Sequence, residues 1–215
     1  MQLSPEFDFV VVYDNDEVMV KSMLDMLARV NAVRACQELP PFSEADLRPL
    51  LCSAFEQRYR QMGVTLSSED LWAVHNSLEY DPPMYEGFID TLRELNLLEV
   101  PVHIVSANLA ERVMHILNRE GIADLFVTAM FTEQKTEALI RIAKLSGKSR
   151  DRCYYVGDSP CDMRQAREAG YNAIGYNPAG NPEHEALLIR SGAHQVISRH
   201  VHLLDIVLPE KGSHG

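Results

Sequence analysis

Short apolar segments alternate along the chain with stretches in which apolar residues recur at three- and four-residue spacing, the pattern of a parallel sheet flanked by helices. FVVVY (9–13), VHIVSA (102–107), CYYVG (153–157) and NAIGY (172–176) predict strands. LFVTAMF (125–131) and HQVI (194–197) are weaker strand signals, assigned to the periphery of the sheet. YEGFIDTLRELNLL, LAERVMHILNREG, KTEALIRIAKLSG and CDMRQAREAG predict the helices between them, with Gly121 and Gly170 placed to end two of these in left-handed conformation.

From about Val20 to Pro83 the alternation stops. VKSMLDMLARVNAVRAC, SEADLRPLLCSAFEQRYRQMG and SSEDLWAVHNSLEY each predict helix, and Ser43 and Ser67 stand at N-cap positions with an acid near the first turn. Pro40, Pro41, Pro82 and Pro83 punctuate the segment. The expected organisation is an α/β body from residues 1–19 and 84–210, a helical module at 20–83 inserted after the first strand, and a disordered tail at 211–215.

A length of 215 residues accommodates one such body with a smaller insert. A formal charge of -11, with no long Lys/Arg run to offset it, argues against general affinity for nucleic acid or anionic membrane. Any phosphate the protein binds must therefore meet a local positive group or a cation. No apolar run approaches the length of a membrane span, and MQLSPEFDF lacks the positive start of a signal peptide. Cys36, Cys52, Cys153 and Cys161 form no CxxC pair and are read as reduced thiols in a cytoplasmic protein. The histidines show no metal-ligand spacing and are read as surface or satisfied core residues.

In open parallel sheets ligands bind beyond the carboxyl ends of the strands. The first strand delivers Asp14, Asn15, Asp16 and Glu17 there, the VHIVSA strand Ser106 and Asn108, and the CYYVG strand Asp158, Ser159 and Asp162. Lys135 opens the helix KTEALIRIAKL. Taken singly, YDND reads equally well as a solvated turn, Ser106 as a helix cap, Lys135 as a surface lysine and GDSPCD as an ordinary strand-to-helix turn.

Taken in order, the same residues resemble the four motifs of the haloacid dehalogenase-like hydrolase superfamily, and most closely its phosphoglycolate-phosphatase-type members. VVVYDND resembles the first motif, HIVSAN with Ser106 the second, Lys135 the third and GDSPCD the fourth. The resemblance implies a Rossmann-like three-layer sandwich with a central, mostly parallel sheet, and a small helical cap inserted after the first strand. It also implies a Mg²⁺-dependent phosphatase acting on a small phosphorylated metabolite, as a monomer or homodimer. Asp14 would be the nucleophile and, with Asp158 and the Asp16 backbone carbonyl, a metal ligand. Asp16 would be the acid/base, Ser106 and Lys135 would hold the phosphoryl group with help near Asn108, and Asp162 would orient the metal site or Lys135.

Where the family commonly has DxDGTLxDS, this chain has DNDEVMVKS. Glu17 in place of glycine suggests a different backbone path with its side chain toward the pocket, and Lys21 is a candidate for a second anionic group on the substrate. Both are therefore counted as substrate-binding candidates. Arg58 and Arg60 are further cations that could reach a substrate, and Trp72 is read as a packing residue. A phosphomutase on the same scaffold and a catalytically silent binding or regulatory protein stay open as alternatives.

Overall fold

The computed structural model describes residues 8–208; the tail expected at 211–215 lies outside them. Its centre is a six-stranded sheet in the order β3-β2-β1-β4-β5-β6, parallel at every pairing. The strands are β1 (Val10–Tyr13), β2 (Val102–Ser106), β3 (Thr128–Phe131), β4 (Cys153–Gly157), β5 (Asn172–Tyr176) and β6 (Gln195–Ile197). The two weak sequence signals are the edge strands β3 and β6, where one flank lacks a partner and less apolar surface need be covered.

Alternation along β1 sorts its side chains to opposite faces. Val10 and Val12 join the cluster built from Leu139, Ile142, Tyr155, Met163 and Ala166, while Tyr13 meets Phe88 edge-to-face with centroids 5.2 Å apart. Helices thus cover both faces: α7 (Lys135–Ser146) and α8 (Pro160–Glu168) on the first, α5 (Phe88–Leu97) on the second. That double cover explains why every residue of β1 and β2 is buried. Gly121 and Gly170 take positive φ after α6 (Ala110–Arg119) and α8, as their positions predict. The later helices α9 (Pro182–Arg190) and α10 (His202–Val207) have no counterpart among the sequence expectations.

The chain divides into two compact units: the described residues up to Val20 and from Met84 onward form one, and Lys21–Pro83 the other. The second contains α1 (Met23–Ala35), α2 (Glu44–Leu47), α3 (Phe55–Gln61) and α4 (Ser68–Asn76) around Val30, Val33, Leu47, Tyr59 and Leu71. Ser43 closes a reciprocal capping box with Asp46, and Ser67 caps α4 through the Asp70 amide. Trp72 stacks on Phe55 at 3.9 Å, in keeping with a packing role.

One expectation fails in this unit. The stretch 43–63 is not one helix: a 3-10 turn carrying Pro49 follows α2, and α3 starts only at Phe55. Proline has no N–H to continue the ladder. The carbonyls of Leu51 and Ser53 in the resulting break accept from Arg58, and Arg60 donates to the carbonyls of Val64 and Leu66. Each of these guanidinium groups thus holds two backbone carbonyls through one of its nitrogens.

The reduced-thiol reading holds for Cys36 and Cys153, which are free. Two buried histidines are not satisfied as expected. Nδ1 of His103 and both ring nitrogens of His200 lack a hydrogen-bond partner among the described residues. The Val18 backbone lies close enough to act on His200 but outside hydrogen-bonding geometry.

Candidate active site

Four chain segments meet beyond the carboxyl end of the sheet. Asp14 follows β1 directly, and its amide donates to the Val156 carbonyl at 2.9 Å, so the β1–β4 pairing fixes where its carboxylate starts. Ser106 is the last residue of β2, fully buried, and its Oγ accepts from the Asn108 amide at 3.1 Å. It does not cap α6, whose N-cap is Leu109. Lys135 is the first residue of α7 and is buried. Asp158, Ser159 and Asp162 span the turn from β4 into α8.

Lys135 joins two of these segments. Its Nζ donates to Asp14 Oδ2 and to Asp162 Oδ1, both at 2.7 Å. Asp162 also accepts from the Tyr155 hydroxyl at 3.2 Å, and its other oxygen closes a capping box with Ser159 at the start of α8. That close seat requires Gly157: a Cβ there would lie 2.5 Å from the Asp162 Cβ. Asn108 reaches back to Asp16, its Nδ2 donating to both carboxylate oxygens at 3.1 and 3.0 Å.

One cation among several buried acids leaves the carboxylates unequal. Burial pushes Asp14 up to about 7, helped by Asp162 and Asp16, and Lys135 only partly counteracts this. Asp158 is held well above the usual carboxylate range by burial and by the charges of Asp162, Asp14 and Glu17, although part of its surface still reaches solvent. Asp162 goes the other way. Burial opposes its charge, but Lys135 and the Ser159 donors outweigh burial and hold it low. Burial also works against the Lys135 ammonium, which Asp14 and Asp162 keep protonated well above its ordinary value.

Asp14, Asp158 and Asp162 each offer a carboxylate oxygen, and these oxygens all lie within 4.8 Å of one another. Such a set of hard oxygens, without Cys or His, fits Mg²⁺ or Ca²⁺ and not a soft transition metal.

Glu17 stands where the resemblance implies a glycine. Its backbone adopts the left-handed conformation, φ 54°, which a glycine would take without strain. The loop is held there by the amides of Val18, Met19 and Val20, all donating to the Asn15 carbonyl. The half-buried Glu17 side chain accepts from the Tyr85 hydroxyl at 3.0 Å. Lys21 belongs to the helical unit, with its side chain exposed and its amide donating to the Pro83 carbonyl.

Sequence reasoning missed Tyr155, Tyr85 and the side-chain role of Asn108. Tyr155 carried a faint signal: a tyrosine inside a buried strand needs a partner for its hydroxyl. The Tyr85–Glu17 bond joins residues 68 apart and carried none.

Comparisons with known proteins converge on one family. The profile of the haloacid dehalogenase-like hydrolases matches residues 11–176. A phosphoglycolate phosphatase of Synechococcus elongatus is 24% identical over 172 residues, covering 76% of this chain and 81% of that one. Among solved structures, a haloacid dehalogenase-like hydrolase from Streptococcus pneumoniae superimposes with a TM-score of 0.78 at 16% identity, covering 92% of this chain and 97% of its own. A hydrolase of the same class from Deinococcus radiodurans, crystallised with bound phosphate and sodium, gives 0.70 at 22% identity, with 94% and 96% covered. The structural likenesses establish a shared fold, and the profile, spanning most of the chain, establishes descent: the chain belongs to the haloacid dehalogenase-like hydrolase family.

Proposed function

We propose that the protein is a Mg²⁺-dependent phosphatase that hydrolyses a small phosphorylated metabolite through an aspartyl-phosphate on Asp14. The observation that carries this reading is a buried Asp14 carboxylate bonded to Lys135 and lying within reach of Asp158 and Asp162 for one hard cation. Asp14, Asp158 and the Asp16 backbone carbonyl would hold the ion. When bound, it would offset the repulsion between an attacking carboxylate and a phosphate dianion, severe in a site shielded from water.

The remaining chemistry belongs to side chains. The Asp14 carboxylate attacks phosphorus, and the P–O bond to the leaving alcohol breaks. Asp16, held by the Asn108 amide, gives that alcohol a proton and later takes one from the water that cleaves the acyl phosphate. Ser106 and Lys135 steady the phosphoryl oxygens, with Lys135 oriented by Asp162 and Tyr155. In this reading the helical unit, Lys21–Pro83, takes the role of the family's cap, and Lys21 and Glu17 are the candidates for substrate contact. The enzyme in this reading is cytoplasmic and monomeric or dimeric, and its acidic composition argues against nucleic-acid or anionic-membrane partners. Among the described residues no helix is long and apolar enough to cross a membrane.

The test is turnover of an aryl phosphate with and without Mg²⁺. Asp14→Asn is expected to lower the rate by at least about 10³-fold, since the nucleophile itself is removed. Equal rates for the two proteins would remove Asp14 from that role. Isomerisation of a sugar phosphate without phosphate release would favour a mutase, and silence across a broad metabolite-phosphate panel a binding protein.

A further inference from the structure

We propose that Asn108 is a positioning residue for the proton transfers, fixing the Asp16 carboxylate relative to Ser106 so that poor leaving groups, the alkoxides of metabolite phosphates, can depart. The proposal rests on the reading above, in which Asp16 is the acid/base and Ser106 holds the phosphoryl group.

Asn108 reaches both partners at once. Its amide donates to Ser106 Oγ at 3.1 Å, and its Nδ2 donates to Asp16 Oδ1 and Oδ2 at 3.1 and 3.0 Å. An oxygen that accepts from Asn108 turns its own proton elsewhere, so the Ser106 hydroxyl keeps a donor for a phosphoryl oxygen. The carboxamide itself cannot rotate freely, because its Oδ1 accepts from the Leu109 amide at 2.8 Å. A backbone N–H accepts nothing, so that bond settles which end of the carboxamide faces Asp16. Leu109 is the N-cap of α6, which ties the contact to a helix start. On the other side Asp16 belongs to the loop whose Val18, Met19 and Val20 amides return to the Asn15 carbonyl. The ends of the paired strands β1 and β2 are thereby joined through one side chain.

Acid/base work sets a demand that these bonds meet. Asp16 must carry a proton when the alcohol leaves and none when water attacks the acyl phosphate, in the same place both times. Contact with both oxygens satisfies this, since a proton on one leaves the other to accept from Nδ2. A misplaced acid matters only where the leaving group needs its proton. An alkoxide is too basic to depart without one, whereas a nitrophenolate leaves unaided.

The experiment compares the full-length protein with Mg²⁺ on glycerol phosphate and on para-nitrophenyl phosphate, for wild type, Asn108→Ala and Asn108→Asp. Asn108→Ala is expected to lower kcat/KM by about 100-fold on glycerol phosphate and by no more than about threefold on the nitrophenyl ester. On the nitrophenyl ester kcat should fall by about tenfold with a burst of nitrophenol, because the same carboxylate must then activate water on the phosphoenzyme. Asn108→Asp keeps the acceptor for Leu109 but turns an oxygen toward Asp16, so it should separate the two esters at least as widely as Asn108→Ala. A merely structural role predicts the reverse order, since the Leu109 bond survives in Asn108→Asp. Equal losses on the two esters in Asn108→Ala overturn the proposal, as does a wild-type ratio between them in Asn108→Asp. Wild-type protein that hydrolyses only the nitrophenyl ester has no acid step to position, which defeats this inference and leaves the phosphatase reading standing. Silence on both esters defeats that reading and this inference with it.

Discussion

The protein buries cations in both of its units, and it treats them oppositely. In the helical unit Arg29 is almost wholly buried, and its guanidinium donates to the carbonyls of His75 and Glu79, both at 2.7 Å. Arg34 donates to the Pro40 carbonyl at 2.7 Å and to that of Met62. Both guanidinium groups hold backbone carbonyls and tie loops to α1, and Arg29 also favours the charged form of the part-buried Asp25. In the α/β unit Lys135 meets full charges, two carboxylates within a cluster where Asp14 and Asp158 resist ionising. The first arrangement resembles reinforcement of a fold. The second is a frustrated balance, the condition expected where charge must shift during a reaction.

The contrast can be broken by exchange. Lys135→Met should lower kcat/KM for an aryl phosphate by about 10³-fold, the scale on which a preorganised charge acts at a transition state. Arg29→Leu should instead leave the buried His75 carbonyl and the part-buried Glu79 carbonyl without their donor, costing about 2–3 kcal/mol and lowering Tm by about 5–10 °C, with kcat of the folded protein within about threefold of wild type. A large rate loss in Arg29→Leu with unchanged Tm would erase the distinction.

A smaller effect sharpens it, because the α/β unit also buries groups that stay neutral. Burial lowers His103 and His200 to about 4, whereas unfolded histidine titrates near 6.5. Their contribution to stability is complete above the unfolded value and is lost as pH falls from there through about 4, because only the unfolded chain takes up the proton readily. His200→Phe keeps an aromatic ring among Tyr13, Phe88 and Tyr176. It should reduce the loss of stability between pH 7 and 5 by about 2 kcal/mol, read as a shallower fall in Tm on acidification.

What could be read from the sequence follows from the range of each interaction. Strand ends and caps are local: DND after VVVY, the Ser159–Asp162 turn and the Ser43 box depend on residues within a few positions of one another. Parallel topology then brings distant strand ends to one rim, which is why Asp14, Lys135 and Asp162 could be grouped before any coordinates. The split at 43–63 was hidden because Arg58 satisfies the break from a helix that had not yet been separated. Asn108 on Asp16 and Tyr85 on Glu17 span 92 and 68 residues, and no periodicity encodes such pairs. Glu17 shows the opposite case: glycine eases a left-handed turn, yet the surrounding bonds hold a glutamate there.

Asp162 answers to two masters. One oxygen serves the first turn of α8 through Ser159, and the other serves Lys135 and Tyr155. The helix therefore cannot start properly without presenting the carboxylate that Lys135 needs, and proofreading of the fold and proofreading of the catalytic charge become one inspection. For an evolving lineage this removes a freedom. Residue 162, with Gly157 beneath it, answers to the start of α8 as well as to the chemistry, so a change there is felt twice.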